Sequence, residues 1–199
     1  VHLNPLWHGE FPFGLLPHGD QGKPVLLTEA HRDGLKTPVP PSSNNRQTIR
    51  SVFKLGNDGS ITGHVEVTQA GENAVATREW ARKLSKNTEE DFVKDVFRRM
   101  GLIGSGRLEK DDPQHLLDTY RYKAEFKAEK FIRTPGTGAF HIVPPLNIAM
   151  PIAVAMQSML EPETDASVTC TGGIMVEEYT IELPKTIKVL AIPRDLTVS

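Results

Sequence analysis

The chain has 199 residues, enough for one generous domain or two small ones with their own cores. Hydrophobic residues at 38% and charged residues at 24% exclude a disordered or fibrous chain. Lys and Arg number 23 against 25 Asp and Glu, a net charge of -2 with no long single-sign run, so nucleic acid is not an expected partner.

No transmembrane span is expected, because the longest apolar stretch, Leu146 to Leu160, is short and interrupted by Pro151. The opening Val1-His2-Leu3-Asn4-Pro5 has no signal-peptide features and no initiator Met, so an upstream segment is expected to have been removed. Cys170 is the single cysteine, which excludes an internal disulfide framework and fits either redox compartment.

Residues 1–47 are rich in Pro and Gly, with Pro38, Pro40 and Pro41 followed by Ser42, Ser43, Asn44 and Asn45, and read as an extended, linker-like segment draped on a domain. An α+β domain over 48–130 follows. Ile49, Ser51, Phe53 and Leu55 alternate, Gly56-Asn57-Asp58-Gly59 supplies turn chemistry, and Ile61, Gly63, Val65 and Val67 form the facing set of a hairpin. His64 then points to the solvent side. A helix is expected over 73–86, with Val75, Ala76, Trp80 and Leu84 on one face. In the next, Thr88 is placed to cap a first turn of Glu89, Glu90 and Asp91, and Phe92, Val93, Val96, Phe97 and Met100 fall at helical spacing until Gly101. Tyr120, Tyr122, Ala124, Phe126 and Ala128 alternate without error against charged residues, the clearest strand in the chain. Residues 131–199 read as a mostly-β, sandwich-like part, separate or continuous with 48–130, in which Tyr179, Ile181 and Leu183 alternate with Thr180 and Glu182. The whole is an α+β fold: an antiparallel sheet with two helices, then strands.

Chemistry-bearing residues are sparse. A nucleophilic cysteine needs a helix N-terminus or a paired histidine, and Val168-Thr169-Cys170-Thr171-Gly172-Gly173 offers neither locally. His2, His8, His18, His31, His64, His115 and His141 include no pair at zinc-site spacing. Met150, Met156 and Met159 sit among Ile148, Ile152, Val154 and Leu160, which points to packing or to an adaptable apolar surface for a peptide or neighbouring domain. The glycines from Gly101 to Gly106 and Gly136-Thr137-Gly138 lack a phosphate-loop Lys and read as turns. Asp111-Asp112 and Glu177-Glu178 are adjacent pairs, expected on opposite faces as solvated charge. No cofactor or metal is called for. A stand-alone β-sandwich binding glycan or peptide through Trp7, Phe11, Phe13 and Trp80 is a further reading.

Several stretches in order resemble one family. Leu3-Asn4-Pro5, Pro12-Phe13-Gly14-Leu15-Leu16-Pro17, Gln21-Gly22-Lys23, Thr37-Pro38, Asp58-Gly59, Gly71 with Arg78, and Glu178 to Pro184 with Ile192-Pro193 and Asp195 look like the C-terminal region of bacterial transglutaminase-like proteins. Those proteins join a papain-like Cys-His-Asp domain to flanking β-rich domains of unknown function. The resemblance implies a non-catalytic structural or interaction module, with the upstream catalytic domain, or a peptide or protein, as partner, in a periplasmic or cell-envelope setting. Asn4 stands where the family's Leu-Asp-Pro carries the triad's orienting residue. An asparagine can also hold an imidazole, so the alternative is part of an active thiol peptidase or transglutaminase with Asn4 completing the triad. Catalytic Cys and His would then lie upstream.

Overall fold

The structure is a computed structural model that describes residues 11–25, 35–84, 86–132, 144–159, 172–192, 194–195 and 197, the side chains of 86, 87, 158 and 159 excepted. Strands β1 (Arg46–Leu55) and β2 (Ile61–Ala70) form an antiparallel hairpin in which Ile49 faces Val67 and Phe53 faces Gly63. At its turn Asp58 Oδ1 accepts the Ser60 amide at 3.0 Å and the Ser60 hydroxyl at 2.6 Å. Helices α1 (Glu72–Arg82) and α2 (Lys86–Arg99) follow, then strands β3 (Ile103–Lys110) and β4 (Thr119–Glu129), helix α3 (Ile152–Met159) and strand β5 (Ile174–Glu182). The strand order is β3-β4-β2-β1-β5, antiparallel throughout except for β5, which runs parallel to β1.

Period-2 alternation sends Ile49, Phe53, Val65, Val67, Tyr122, Ala124 and Phe126 to one face, where Val93 and Phe97 of α2 complete the main core. A second, smaller cluster joins Ala74 and Ala81 of α1 to Tyr120 of β4. The sheet, both helices and the buried role of Phe97 agree with the sequence pattern, while Phe92 and Val96 are half-buried against the core. Helix α2 ends where the sequence placed its stop. Gly101 has φ 68°, and the amides of Gly101 and Leu102 donate to the carbonyls of Arg98 and Phe97, the paired bonds of a Schellman motif.

Four details differ from the sequence reading. Helix α1 ends at Arg82 and buries Ala74, Thr77, Arg78 and Ala81, while Ala76 is exposed. Helix α2 starts at Lys86, so Thr88 lies inside it and not at its cap. Gly104 and Gly106 lie within β3 because a Cβ there would run into the Phe97 ring and Leu146 respectively; they admit close packing and do not make turns. Finally, β5 joins the first sheet, and no second, sandwich-forming sheet occurs among the described residues. Alternation identifies a strand and its faces but carries no information on which strand it will pair with.

Candidate functional site

The two edges of the sheet are built differently. At the β3 edge, helix α2 packs alongside the strand, and Glu89 from its first turn reaches across to it. Glu89 Oε2 pairs with Lys110 Nζ at 2.6 Å, both side chains only 20% exposed, and Oε1 accepts the Leu108 amide at 3.3 Å. A carboxylate thus occupies an edge donor that an incoming strand would need. At the other edge, β5 pairs only with β1 among the described residues. The Ile174 amide donates to Asn45 O at 2.9 Å, so by alternation the amides and carbonyls of Met175, Glu177, Tyr179 and Ile181 point away from β1. No strand pairs with this side among the described residues, and a strand edge of this kind is a template for an extended peptide.

Asn45 locks β5 to the rest. Its Oδ1 accepts the Glu72 amide at the start of α1 at 3.1 Å, and its Nδ2 donates to Gly172 O at 3.3 Å, just ahead of β5. Glu177 faces the inner side, where Oε1 accepts the Ile152 amide opening α3 at 2.6 Å and Oε2 accepts the Tyr179 hydroxyl at 2.9 Å. Burial and that carboxylate push the Tyr179 hydroxyl well above the ordinary tyrosine range.

The outer face carries a row of alternating charge across all five strands. Glu109, Lys123, Glu66, Arg50 and Glu178 are successive cross-strand neighbours. Lys123 Nζ lies 3.5 Å from Glu66, and Arg50 Nε lies 2.6 Å from Glu178. Each exposed pair contributes about 0–1 kcal/mol, so the row keeps this face soluble more than it stabilises the fold. A shallow cleft of about 320 Å³ lies beside it, lined by Glu66, Thr68, Glu109, Arg121 and Lys123.

At the β3–β4 connection, a cleft of about 480 Å³ lies between α1 and the loop, lined by Ala81, Arg82, Leu84, Lys110, Pro113 and Leu116 among others. Two arginines one turn apart on α1 hold this loop. Arg82 Nε donates to Pro113 O at 3.1 Å, and Arg78 Nη2 donates to Leu117 O at 2.6 Å. Arg78 is wholly buried, with its guanidinium carbon 5.6 Å from the centre of the Tyr120 ring. Its Nε and Nη1 have no hydrogen-bond partner among the described residues. Burial, and next the neighbouring Arg82, hold its pKa below the ordinary arginine range. Burial first, and Asp111 second, raise the Tyr120 pKa to about 12.

The candidates marked in the sequence are dispersed. Asn4 and Cys170 lie outside the described residues, as do His2, His8, His31, His141 and the Gly136–Gly138 stretch. His18 sits in a short 3-10 turn, His64 is half-buried on the outer face of β2, and His115 is exposed in the β3–β4 loop, 3.9 Å from Asp112. Among the described residues no group of three or more His, Cys, Asp and Glu could hold a metal ion, and no helix is long and apolar enough to cross a membrane. The acidic pairs have local partners. Asp111 Oδ2 accepts the Arg121 amide at 3.1 Å and Asp112 Oδ1 accepts the Gln114 amide at 2.9 Å, while Glu177 and Glu178 do take opposite faces. Met150 and Met156 are exposed. Comparison with protein-family models, curated proteins and solved structures finds no match for this chain.

Sequence reasoning passed over Arg78 as a site residue, and over Asn45 and the open side of β5. For Arg78 a signal was present: Ala74 and Ala81 are small residues seven apart, and position 78 falls on the same helical face between them.

Proposed function

We propose that the chain is a non-catalytic interaction module that follows a transglutaminase-like catalytic domain and holds that domain by strand addition at β5. The observation that supports this reading is the asymmetry of the sheet, with one edge shielded by α2 and Glu89 and the other, nine residues long, presenting outward amides and carbonyls. Strand addition uses main-chain bonds for affinity and the side chains alternating along the edge for selection.

The test is the polypeptide encoded upstream of Val1, produced as a separate chain. It should carry the Cys and His of a papain-like domain and bind this chain. Ile181→Pro removes an outward amide without touching the β1–β5 ladder, so the variant should keep its circular dichroism spectrum and bind at least about tenfold more weakly. An upstream sequence without such a domain, or unchanged binding by the folded variant, overturns the reading.

A further inference from the structure

Arginine is rarely fully buried unless it is paired, because desolvating a cation costs several kcal/mol in real proteins. Arg78 is fully buried, yet it makes no ion pair among the described residues, and its compensation is one backbone carbonyl and the face of Tyr120. It sits with Ala74, Ala81 and Tyr120, where an apolar side chain would pack at no electrostatic cost. A guanidinium offers two forks, one from Nε with a terminal nitrogen and one from the two terminal nitrogens. Nη2 belongs to both forks, and it is Nη2 that the Leu117 carbonyl occupies, leaving Nε and Nη1 unused on either side. Leu117, whose carbonyl holds Arg78, is itself 59% exposed. The loop is fastened to α1 at the Pro113 and Leu117 carbonyls, and the second cleft opens beside it.

We propose that the cleft beside the β3–β4 loop is the entrance to a carboxylate-binding site: Arg78 lies behind the residues that line the cleft, and an incoming carboxylate displaces the Leu117 carbonyl and takes a fork of Arg78. Exchange of the neutral carbonyl for a carboxylate brings the buried cation an ion-pair partner that it does not have among the described residues, and a carboxylate can take two parallel N–H···O bonds where the carbonyl takes one. Arg82, which lines the same cleft, adds a second positive charge to the entrance. The site lies on α1 and the β3–β4 loop and stands or falls independently of strand addition at β5.

The test uses the whole chain with sodium acetate against sodium chloride at matched ionic strength. At a tenfold excess over its Kd, acetate should raise the melting midpoint by about 3–6 °C. It should also shift the Arg78 Nε–H resonance and speed amide exchange at 113–118 as the loop lifts. Arg78→Met should fold, since it removes an uncompensated buried charge, and should lose the acetate-specific rise. Arg78→Lys, which keeps the charge without the fork, should retain less than half of it. N-acetyl-trialanine with a free carboxylate, compared with its amide, identifies the source. Tenfold tighter binding than acetate marks a peptide terminus and equal binding marks a small acid, each supporting the site provided the amide is inert. An equal acetate response in Arg78→Met, or an unmoved Nε–H resonance with both acetate and the peptide acid, overturns the proposal.

Discussion

Phe97 and Gly104 provide a test of how the helical layer meets the sheet. Phe97 is 2% exposed, belongs to the main core and supplies the carbonyl that ends α2, and its ring fills the space where a Cβ on Gly104 would stand. Phe97→Ala should therefore cost about 3–5 kcal/mol, the range for deleting a buried aromatic with partial collapse of the cavity. At a urea m-value of roughly 2 kcal/mol/M, that is a midpoint shift of about 1.5–2.5 M. Gly104→Ala alone should cost about 1–3 kcal/mol, because the added methyl overpacks against the ring. The double variant should be better than additive by at least about 0.5 kcal/mol, since the methyl enters space the ring has vacated. Urea melts of the four proteins, followed by far-ultraviolet circular dichroism, measure all three quantities. A loss under about 1 kcal/mol for Phe97→Ala would mean that this helix face is not packed. Additivity within about 0.3 kcal/mol would mean that the ring does not impose the glycine.

Asn45→Ala should cost about 1–3 kcal/mol in the same assay, because it leaves the first amide of α1 without its acceptor and frees the entry to β5; a loss under about 0.5 kcal/mol would show that water replaces both bonds. Burial raises the Tyr120 pKa above its ordinary value of 10.0 to about 12, so its contribution is complete below pH 10 and is lost as pH rises toward 12. Alkaline melts should show this limb and Tyr120→Phe should flatten it, whereas identical limbs would place the titration elsewhere.

The sheet was legible in the sequence because its strands are half-buried. Alternation at Ile49 to Leu55, Ile61 to Val67 and Tyr120 to Ala128 assigned side chains to the faces they occupy. The stop at Gly101 was legible because the left-handed conformation that ends such a helix is one that glycine adopts without steric cost. Pairing partners were not. Nothing local tells β5 to lie parallel to β1, and nothing local tells Asn45 to cap a helix that starts 27 residues later. Glu89 was read as part of the acidic first turn of α2, and its partners on β3, Lys110 and the Leu108 amide, appear only once α2 lies against that strand. The burial of Arg78 was not legible because a charged residue in an amphipathic helix is ordinarily assigned to water, and only the burial of Ala74 and Ala81 reverses that assignment.

The placement of exposed apolar side chains bears on the interaction reading as well. Ile174 on β5, and Leu183, Val189, Leu190 and Ile192 in the chain that follows it, are all exposed. At the opposite edge, Ile103 at the start of β3 is exposed, whereas Leu108 further along is buried, with its amide held by Glu89. Edge strands in isolated domains are commonly blunted by charge or covered by a helix, as β3 is. On the β5 side, charge occurs at Glu177, Glu178 and Glu182: Glu177 turns to the inner side, where it holds the Ile152 amide and the Tyr179 hydroxyl, Glu178 pairs with Arg50 on the outer face, and Glu182 shares that outer face by alternation. A strand added there would gain main-chain bonds from the edge and apolar contacts from the chain beyond it, two contributions that an already shielded edge cannot offer. Ile181→Pro separates them, because it removes a main-chain donor and leaves Val189, Leu190 and Ile192 in place. Weakened binding by that variant therefore assigns the affinity to the edge, and retained binding assigns it to the apolar chain beyond.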